Sequence, residues 1–152
     1  MAELSASRRL RIGRCSERDR IYLSTTNTLD REPLFADFAL GRLVVHQFRR
    51  AQELGLANSL AWVVMPDHFH WLIELKNCSL RRLMGETKSL AAREVNRCTG
   101  TSGPIWQQGY HDRALRMEDD LVKMARYVVA NPLRAGLVAK IGDYPQWDAV
   151  WL

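Results

Sequence analysis

Apolar and polar positions along this chain switch between two periods. From Arg20 to Asn27, the residues Ile21, Tyr22, Leu23, Thr25 and Thr26 form a β-rich run, and a first strand is predicted there. Leu34, Phe38, Val45 and Phe48 then mark one apolar stripe at helical spacing. Asp30-Arg31-Glu32-Pro33 reads as the start of this helix, with Pro33 in its first turn, and Gly55 as its C-terminal cap after Leu54. His46 on this helix is expected to be structural or exposed. Leu60 to Met65 forms a second strand, which turns at Pro66-Asp67 into a third strand with His68, Phe69, His70, Trp71, Leu72 and Ile73. The two are predicted to pair as an antiparallel hairpin. Ser79 caps a second helix with the buried stripe Leu80, Leu83, Met84, Leu90, Ala91 and Val95. Residues 99–104 are a loop by composition, and a short strand follows near Asp112 to Leu115. Glu118, Asp119 and Asp120 open a third helix with the stripe Leu121, Met124, Ala125 and Val128, and Pro132 ends it. The tail holds Tyr144, Trp147 and Trp151.

The order β-α-β-β-α-β with a helix appended predicts an α+β fold of the ferredoxin-like, split βαβ type. It has one antiparallel sheet, helices on one face, and an appended C-terminal helix. Residues 1–17 read as a basic N-terminal arm, and residues 18–152 as a single domain. At 152 residues the chain is long enough for a real core. No apolar run approaches bilayer length, and the first residues do not read as a signal peptide, so no membrane association is expected. Cys15, Cys78 and Cys98 are odd in number and widely spaced, which fits a reducing cytoplasm and argues against a thiolate zinc site. A net charge of +5 and an isoelectric point near 9.4 favour an anionic partner, nucleic acid first. Candidate phosphate or base contacts are Arg8, Arg9 and Arg11 on the arm, Arg81, Arg82 and Lys88 on the second helix, and Trp106, Arg113, Arg116 and Lys123 beyond it.

Two imidazoles one residue apart on a strand share a face, so His68 and His70 point together while Phe69 points away. Aimed together, they look like two ligands of a divalent metal. Alone, such a pair is more often one buried and one exposed histidine. On the third helix, Tyr127 and Asn131 stand at i and i+4 on one face, off the apolar stripe. Either Asn131 offers its amide oxygen to a nearby metal with Tyr127 one turn away, or Tyr127 packs at the core rim and Asn131 caps a helix stopped by Pro132. Mixed nitrogen and oxygen ligands suit Mg²⁺ or Mn²⁺, with Zn²⁺ or Ni²⁺ also compatible. Such an ion withdraws charge from a scissile phosphate. A tyrosine hydroxyl can then attack phosphorus and form a covalent phosphotyrosine.

Three blocks resemble the single-tyrosine HUH transposases, and more closely their REP-associated tyrosine transposase branch. They are Trp62-Val63-Val64-Met65-Pro66-Asp67-His68-Phe69-His70, then Trp106-Gln107 with Tyr110-His111-Asp112-Arg113, and Tyr127-Val128-Val129-Ala130-Asn131-Pro132-Leu133-Arg134-Ala135-Gly136-Leu137-Val138. The resemblance runs from about Arg20 onward. It implies that His68 and His70 are metal ligands, that Tyr127 is the nucleophile, and that Asn131 is a third ligand, where related transposases outside this branch use glutamine. It also implies action on single-stranded DNA with imperfect hairpins, leaving a 5′-phosphotyrosine and a free 3′-hydroxyl. The protein would be a monomer or homodimer in a bacterial cytoplasm, associated with the nucleoid.

Three readings compete: a DNA transesterase using Tyr127, a domesticated hairpin-DNA binder without turnover, and a metal-dependent hydrolase using water. Against the last, no carboxylate cluster is expected near the histidines, since Asp67 should face away from both and Glu74 lies further along the strand. Tyr110 is a rival nucleophile beside His111, which is otherwise structural or a DNA contact. Tyr127 is preferred because its relation to Asn131 puts nucleophile and metal on one rigid element.

Overall fold

The structure, a computed structural model, describes residues 20–116 and 118–150, and of residues 118–120 the backbone alone. The basic arm with Arg8, Arg9, Arg11 and Arg14, and Trp151 in the tail, lie outside the described residues. The elements are β1 (Ile21–Asn27), α1 (Phe38–Glu53), β2 (Ala57–Met65), β3 (His68–Leu75), α2 (Leu80–Thr99), β4 (His111–Leu115), α3 (Glu118–Val129), α4 (Asn131–Arg134) and β5 (Trp147–Ala149). The strands form one sheet in the order β4-β1-β3-β2-β5, with every neighbouring pair antiparallel. The first four strands have the expected split βαβ arrangement. The tail adds a fifth strand that was not expected, with Ala149 opposite Ala61 and Trp147 opposite Val63. Among the described residues no helix is long and apolar enough to cross a membrane.

Each face of the sheet carries its own core. On one face α1 and α2 cover Tyr22, Trp62, Val64, Phe69, Trp71 and Ile73. Phe48 of α1 is the hub, with its ring 4.4 Å from Trp71, 5.2 Å from Phe69 and 5.8 Å from Trp62. Each such pair adds about 0.5–1.5 kcal/mol to simple burial. These contacts fix the phase of β3, because a slip of one residue would turn Phe69 and Trp71 out of the core. On the other face Leu23, Ala61, Val63, Met65 and Leu72 meet Ala125, Val128 and Val129 of α3. The appended helix thus covers the face opposite α1 and α2.

The first helix begins later than the sequence predicts. Asp37, not Pro33, stands at its N-terminus, where its carboxylate accepts from the amides of Ala39 and Leu40. Residues 29–36 cannot extend the helix because tertiary partners hold their amides: Leu29 N–H donates to the Ile105 carbonyl and Phe35 N–H to that of Pro66. Leu34 therefore sits in a separate turn, and Phe38 is exposed. Val45 and Phe48 are buried as expected, Gly55 closes the helix in the left-handed region, and His46 is exposed. In α2, capped by Ser79, Thr87 is buried and Leu90 only half-buried. Pro132 does not end the third helix. α3 stops at Val129, and Pro132 stands in the first turn of α4, a position that tolerates its missing N–H.

Candidate active site

With Phe69 and Trp71 held in one core, His68 and His70 project from the opposite face of β3. Their ring centroids are 4.9 Å apart and nearly perpendicular. Each ring is fixed through its Nδ1. In His70 this nitrogen lies 2.8 Å from Oγ1 of Thr25, its partner across β1. In His68 it donates to Asp67 Oδ1 at 2.8 Å, and Asp67 Oδ2 accepts from Arg31 Nε at 2.9 Å. Asp67 was expected to face away from both histidines, and it does not. It belongs to the hairpin turn rather than to a strand, so strand alternation does not govern its side chain. Arg31 reaches it from a turn in which Asp30 and Arg31 both have φ of 55°, a conformation costly for an arginine. Burial by itself would raise the Asp67 pKa, but the hydrogen bonds from His68 and Arg31 outweigh it and hold the carboxyl below its usual value.

Tyr127 is half-exposed on α3, with its ring 6.2 Å from that of His70. The guanidinium of Arg134 lies 4.1 Å over the Tyr127 ring and donates to the Tyr127 carbonyl at 2.8 Å. Asn131 Nδ2 donates to the carbonyls of Val128 at 2.9 Å and Tyr127 at 3.3 Å. Those acceptors leave Oδ1 turned toward His70, and the Asn131 side chain hydrogen-bonds that ring. Burial, helped by His68 and Arg134, lowers the His70 pKa to about 4 against this hydrogen bond. At neutral pH His70 is therefore uncharged, the form that binds a cation.

This donor set fits a divalent ion. Both Nδ1 atoms are engaged, so the atoms that could face an ion are the two Nε2 atoms and the Asn131 amide oxygen, which here meets the His70 ring. Imidazole with its other nitrogen held by an oxygen acceptor is the usual arrangement of a ligating histidine. Among the described residues no group of three or more His, Cys, Asp or Glu side chains is arranged to hold a metal ion, and the Asn131 amide is the candidate third donor beside the two histidines. Glu74 is engaged at the far end of β3 with Asn58 and Lys76.

Of the candidate DNA contacts, Arg113 and Lys123 lie beside this site. With Leu23, Leu115, Met124 and Tyr127 they line a cleft of about 480 Å³. Arg116 is exposed just past β4. Arg81 and Arg82 belong to the helix layer behind the sheet, where Arg82 pairs with Glu86. Lys88 donates to the carbonyls of Gln107 and Gly109, and burial lowers its pKa. Trp106 is buried against Phe35 and Phe69. Tyr110, the rival nucleophile, packs against that same core behind the sheet. Sequence reasoning missed Arg134, Thr25 and Arg31 as members of the site. Arg134 stands seven residues after Tyr127, a spacing that returns to one helical face, and this was a usable signal. Thr25 and Arg31 are joined to the histidines only by sheet pairing and a turn.

A ferredoxin-like sheet with paired histidines on its central strand, and a tyrosine and an amide on two successive helices beside it, is the arrangement of an HUH-type domain. Residues 31–131 match the family model described as "Transposase IS200 like", and the chain belongs to that family. It is similar to the REP-associated tyrosine transposase of Escherichia coli (strain K12), with 28% identity over 87 residues, 56% of this chain and 50% of that protein. It is also similar to a putative REP-associated tyrosine transposase of Haemophilus influenzae, with 25% identity over 116 residues, 66% of each chain. The chain thus spans about half the length of the first relative and two thirds of the second. Among solved structures, that of a REP-associated tyrosine transposase bound to a REP hairpin superposes with a TM-score of 0.73 at 21% identity, covering 97% of this chain and 82% of that one. A putative transposase from Deinococcus radiodurans gives a TM-score of 0.52 at 18% identity, covering 74% and 92%. Both likenesses establish the fold.

Proposed function

We propose that this protein is a metal-dependent DNA transesterase that cleaves and rejoins single strands at hairpin or palindromic repeats. The observation that supports the reading is the meeting of separate elements, His68 and His70 on β3 with Tyr127 near the end of α3 and Asn131 at the start of α4, which are two helices and not the single one expected. A Mg²⁺ or Mn²⁺ ion held by His68, His70 and Asn131 would supply charge withdrawal from the scissile phosphate. The chain itself does the rest. Arg113 and Lys123 draw the backbone into the cleft. Arg134 holds the Tyr127 ring over the site and sets a fixed positive charge beside it. The Tyr127 oxygen attacks phosphorus, a P–O bond to tyrosine forms, and the bond to the 3′-oxygen of the upstream strand breaks. The downstream strand remains as a 5′-phosphotyrosine and the upstream strand leaves with a free 3′-hydroxyl. A later 3′-hydroxyl reverses the step. The hairpin bound by the structural relative supports the substrate class. Such a protein would act in the bacterial cytoplasm, at the nucleoid.

The test is Tyr127→Phe on a labelled hairpin substrate. The variant should bind as wild type does but form no covalent adduct and no break. In wild type, label on the 3′ side of the break should travel with the protein. Label partitioned the other way would defeat the assignment even if Tyr127 proved essential. Hairpin binding without an adduct in wild type would mark a domesticated binding protein. Cleavage without an adduct would point to water.

A further inference from the structure

The helix that carries Tyr127 covers only part of its side of the sheet. α3 packs mainly over β2, β3 and β5 and reaches Leu23 of β1 and Leu115 of β4, while Thr25 and His111, further along the same face of β1 and β4, stay partly or fully exposed. Thr25 pairs with His70 on one side and with His111 on the other. The register therefore sets a row of side chains, His70, Thr25 and His111, running outward from the metal-ligand pair. At about 4.8 Å per strand, the backbone of His111 stands about 10 Å from that of His70. Stacked nucleotides rise about 3.4 Å each, so this is roughly three steps along a strand.

At the outer end of the row is a cavity of about 190 Å³ lined by Thr25, Asn27, Gln107, Gln108, Tyr110 and His111. Its wall is built in advance. Gln107 N–H donates to the Asn27 carbonyl, and Lys88 Nζ donates to the carbonyls of Gln107 and Gly109 at 3.3 and 2.7 Å. The Trp106 indole holds the Lys88 carbonyl in turn at 2.9 Å. Gly109 turns the loop at φ +81°, which side chains rarely adopt.

We infer that this cavity is a subsite for one unpaired nucleobase of the strand being cut, an inference that rests on the function proposed above. No lysine or arginine is among its lining residues, so it does not suit a phosphate. Three amide residues, Asn27, Gln107 and Gln108, line it, each with a donor and an acceptor. Among the described residues none of those side chains is engaged by another group. A base edge presents the complementary pattern, and an amide reads it with two hydrogen bonds. The His111 ring offers a face for stacking. The volume is below the roughly 300–1,000 Å³ of sites for drug-sized ligands, which suits a single ring system.

The experiment uses a pool of DNA single strands, each with a hairpin and randomised flanks, selected by retention on the full chain and sequenced. Wild type should enrich one base at a flank position near the break. Gln107→Ala/Gln108→Ala should lose that enrichment, about tenfold or more, while keeping enrichment at other positions. Gln108→Glu, which replaces a donor by an acceptor, should change the base preferred. If the double variant loses retention altogether, this single variant decides: an altered base supports the subsite and an unchanged one overturns it. Retention by wild type with no base enriched, or the same enrichment in every variant, also overturns it. Failure of wild type to retain any hairpin strand would instead sink the function on which the inference rests.

Discussion

Asn131 uses its two ends for different tasks. Its nitrogen caps the last carbonyls of α3 while its oxygen faces His70. The two readings open at the level of sequence, a helix cap and a ligand, are thus compatible, because they use different atoms. Periodicity put His68 and His70 on one strand face and Tyr127 off the apolar stripe, and the fold brings those two faces together. What surrounds them was not legible that way. Asp67 was misread because it lies in a turn, and Thr25 and Arg31 reach the histidines only through the folded register. Their part is open to measurement. Asp67→Asn keeps the shape but weakens the acceptor that orients His68, so Mn²⁺ affinity should fall about 10–100-fold with little change in thermal unfolding. Unchanged affinity by Mn²⁺ titration would remove Asp67 from the site. His68→Ala and His70→Ala should each abolish the covalent adduct and leave hairpin binding largely intact. An adduct formed at full yield by either, after chelation and metal replacement, would refute the ligand assignment.

At the scale of elements, strand and helix order was legible and their edges were not. β2 starts at Ala57 rather than Leu60, because its register shifts between Ser59 and Ala61 and a strict period of two breaks there. The fifth strand, in the tail, was hidden because it is only three residues long, too short to show an alternating pattern. That tail is tied down by two side chains with measurable consequences. Gln146 is buried beside α1, donating to the Phe35 carbonyl, and a Cβ on Gly41 would lie 2.0 Å from its Oε1. Gly41→Ala should therefore displace the amide and cost about 1–3 kcal/mol in urea unfolding; a neutral result would mean that the side chain swings out freely. Tyr144 donates to the Val64 carbonyl at 2.6 Å, and burial raises its pKa to about 12. An unfolded tyrosine ionises near 10. Between these values the unfolded chain has lost a proton that the folded chain keeps, so stability falls as pH climbs from about 10 to about 12 and is unaffected by this group below that window. In Tyr144→Phe the alkaline loss should shrink, at a cost of about 0.5–1.5 kcal/mol near neutrality. Identical alkaline midpoints in both proteins would rule Tyr144 out as its source.

For the whole molecule, the sequence was enough to predict a split βαβ sheet, but not that the third helix would take the opposite face. The reason is physical: β2 and β3 are apolar on both sides, so either face could have received it. Charge is distributed by the same choice. Arg113 and Lys123 flank Tyr127, whereas Arg81 and Arg82 lie behind the sheet. Binding to single-stranded hairpin DNA should weaken steeply with salt, as expected when basic side chains release counterions. Replacing Arg113 and Lys123 by alanine should flatten that slope more than replacing Arg81 and Arg82. A hairpin strand should outcompete linear duplex, and equal affinity for the two would sink the substrate class.

β3 is the middle strand of five, flanked on both edges and covered on both faces, while α4 is a single turn at the margin of the fold. The histidine half of the proposed site therefore sits on the strand expected to be best protected, and the tyrosine half near a helix end where local opening is expected to be easier. In amide hydrogen exchange the β3 amides should be among the slowest in the protein, and those of α4 and the end of α3 should exchange well before them. A DNA end bound to Tyr127 would then be carried by the part of the molecule free to move, while the part that grips the phosphate stays still. Exchange between one strand end and another can proceed by such a swing of the helix tip, without dismantling the sheet.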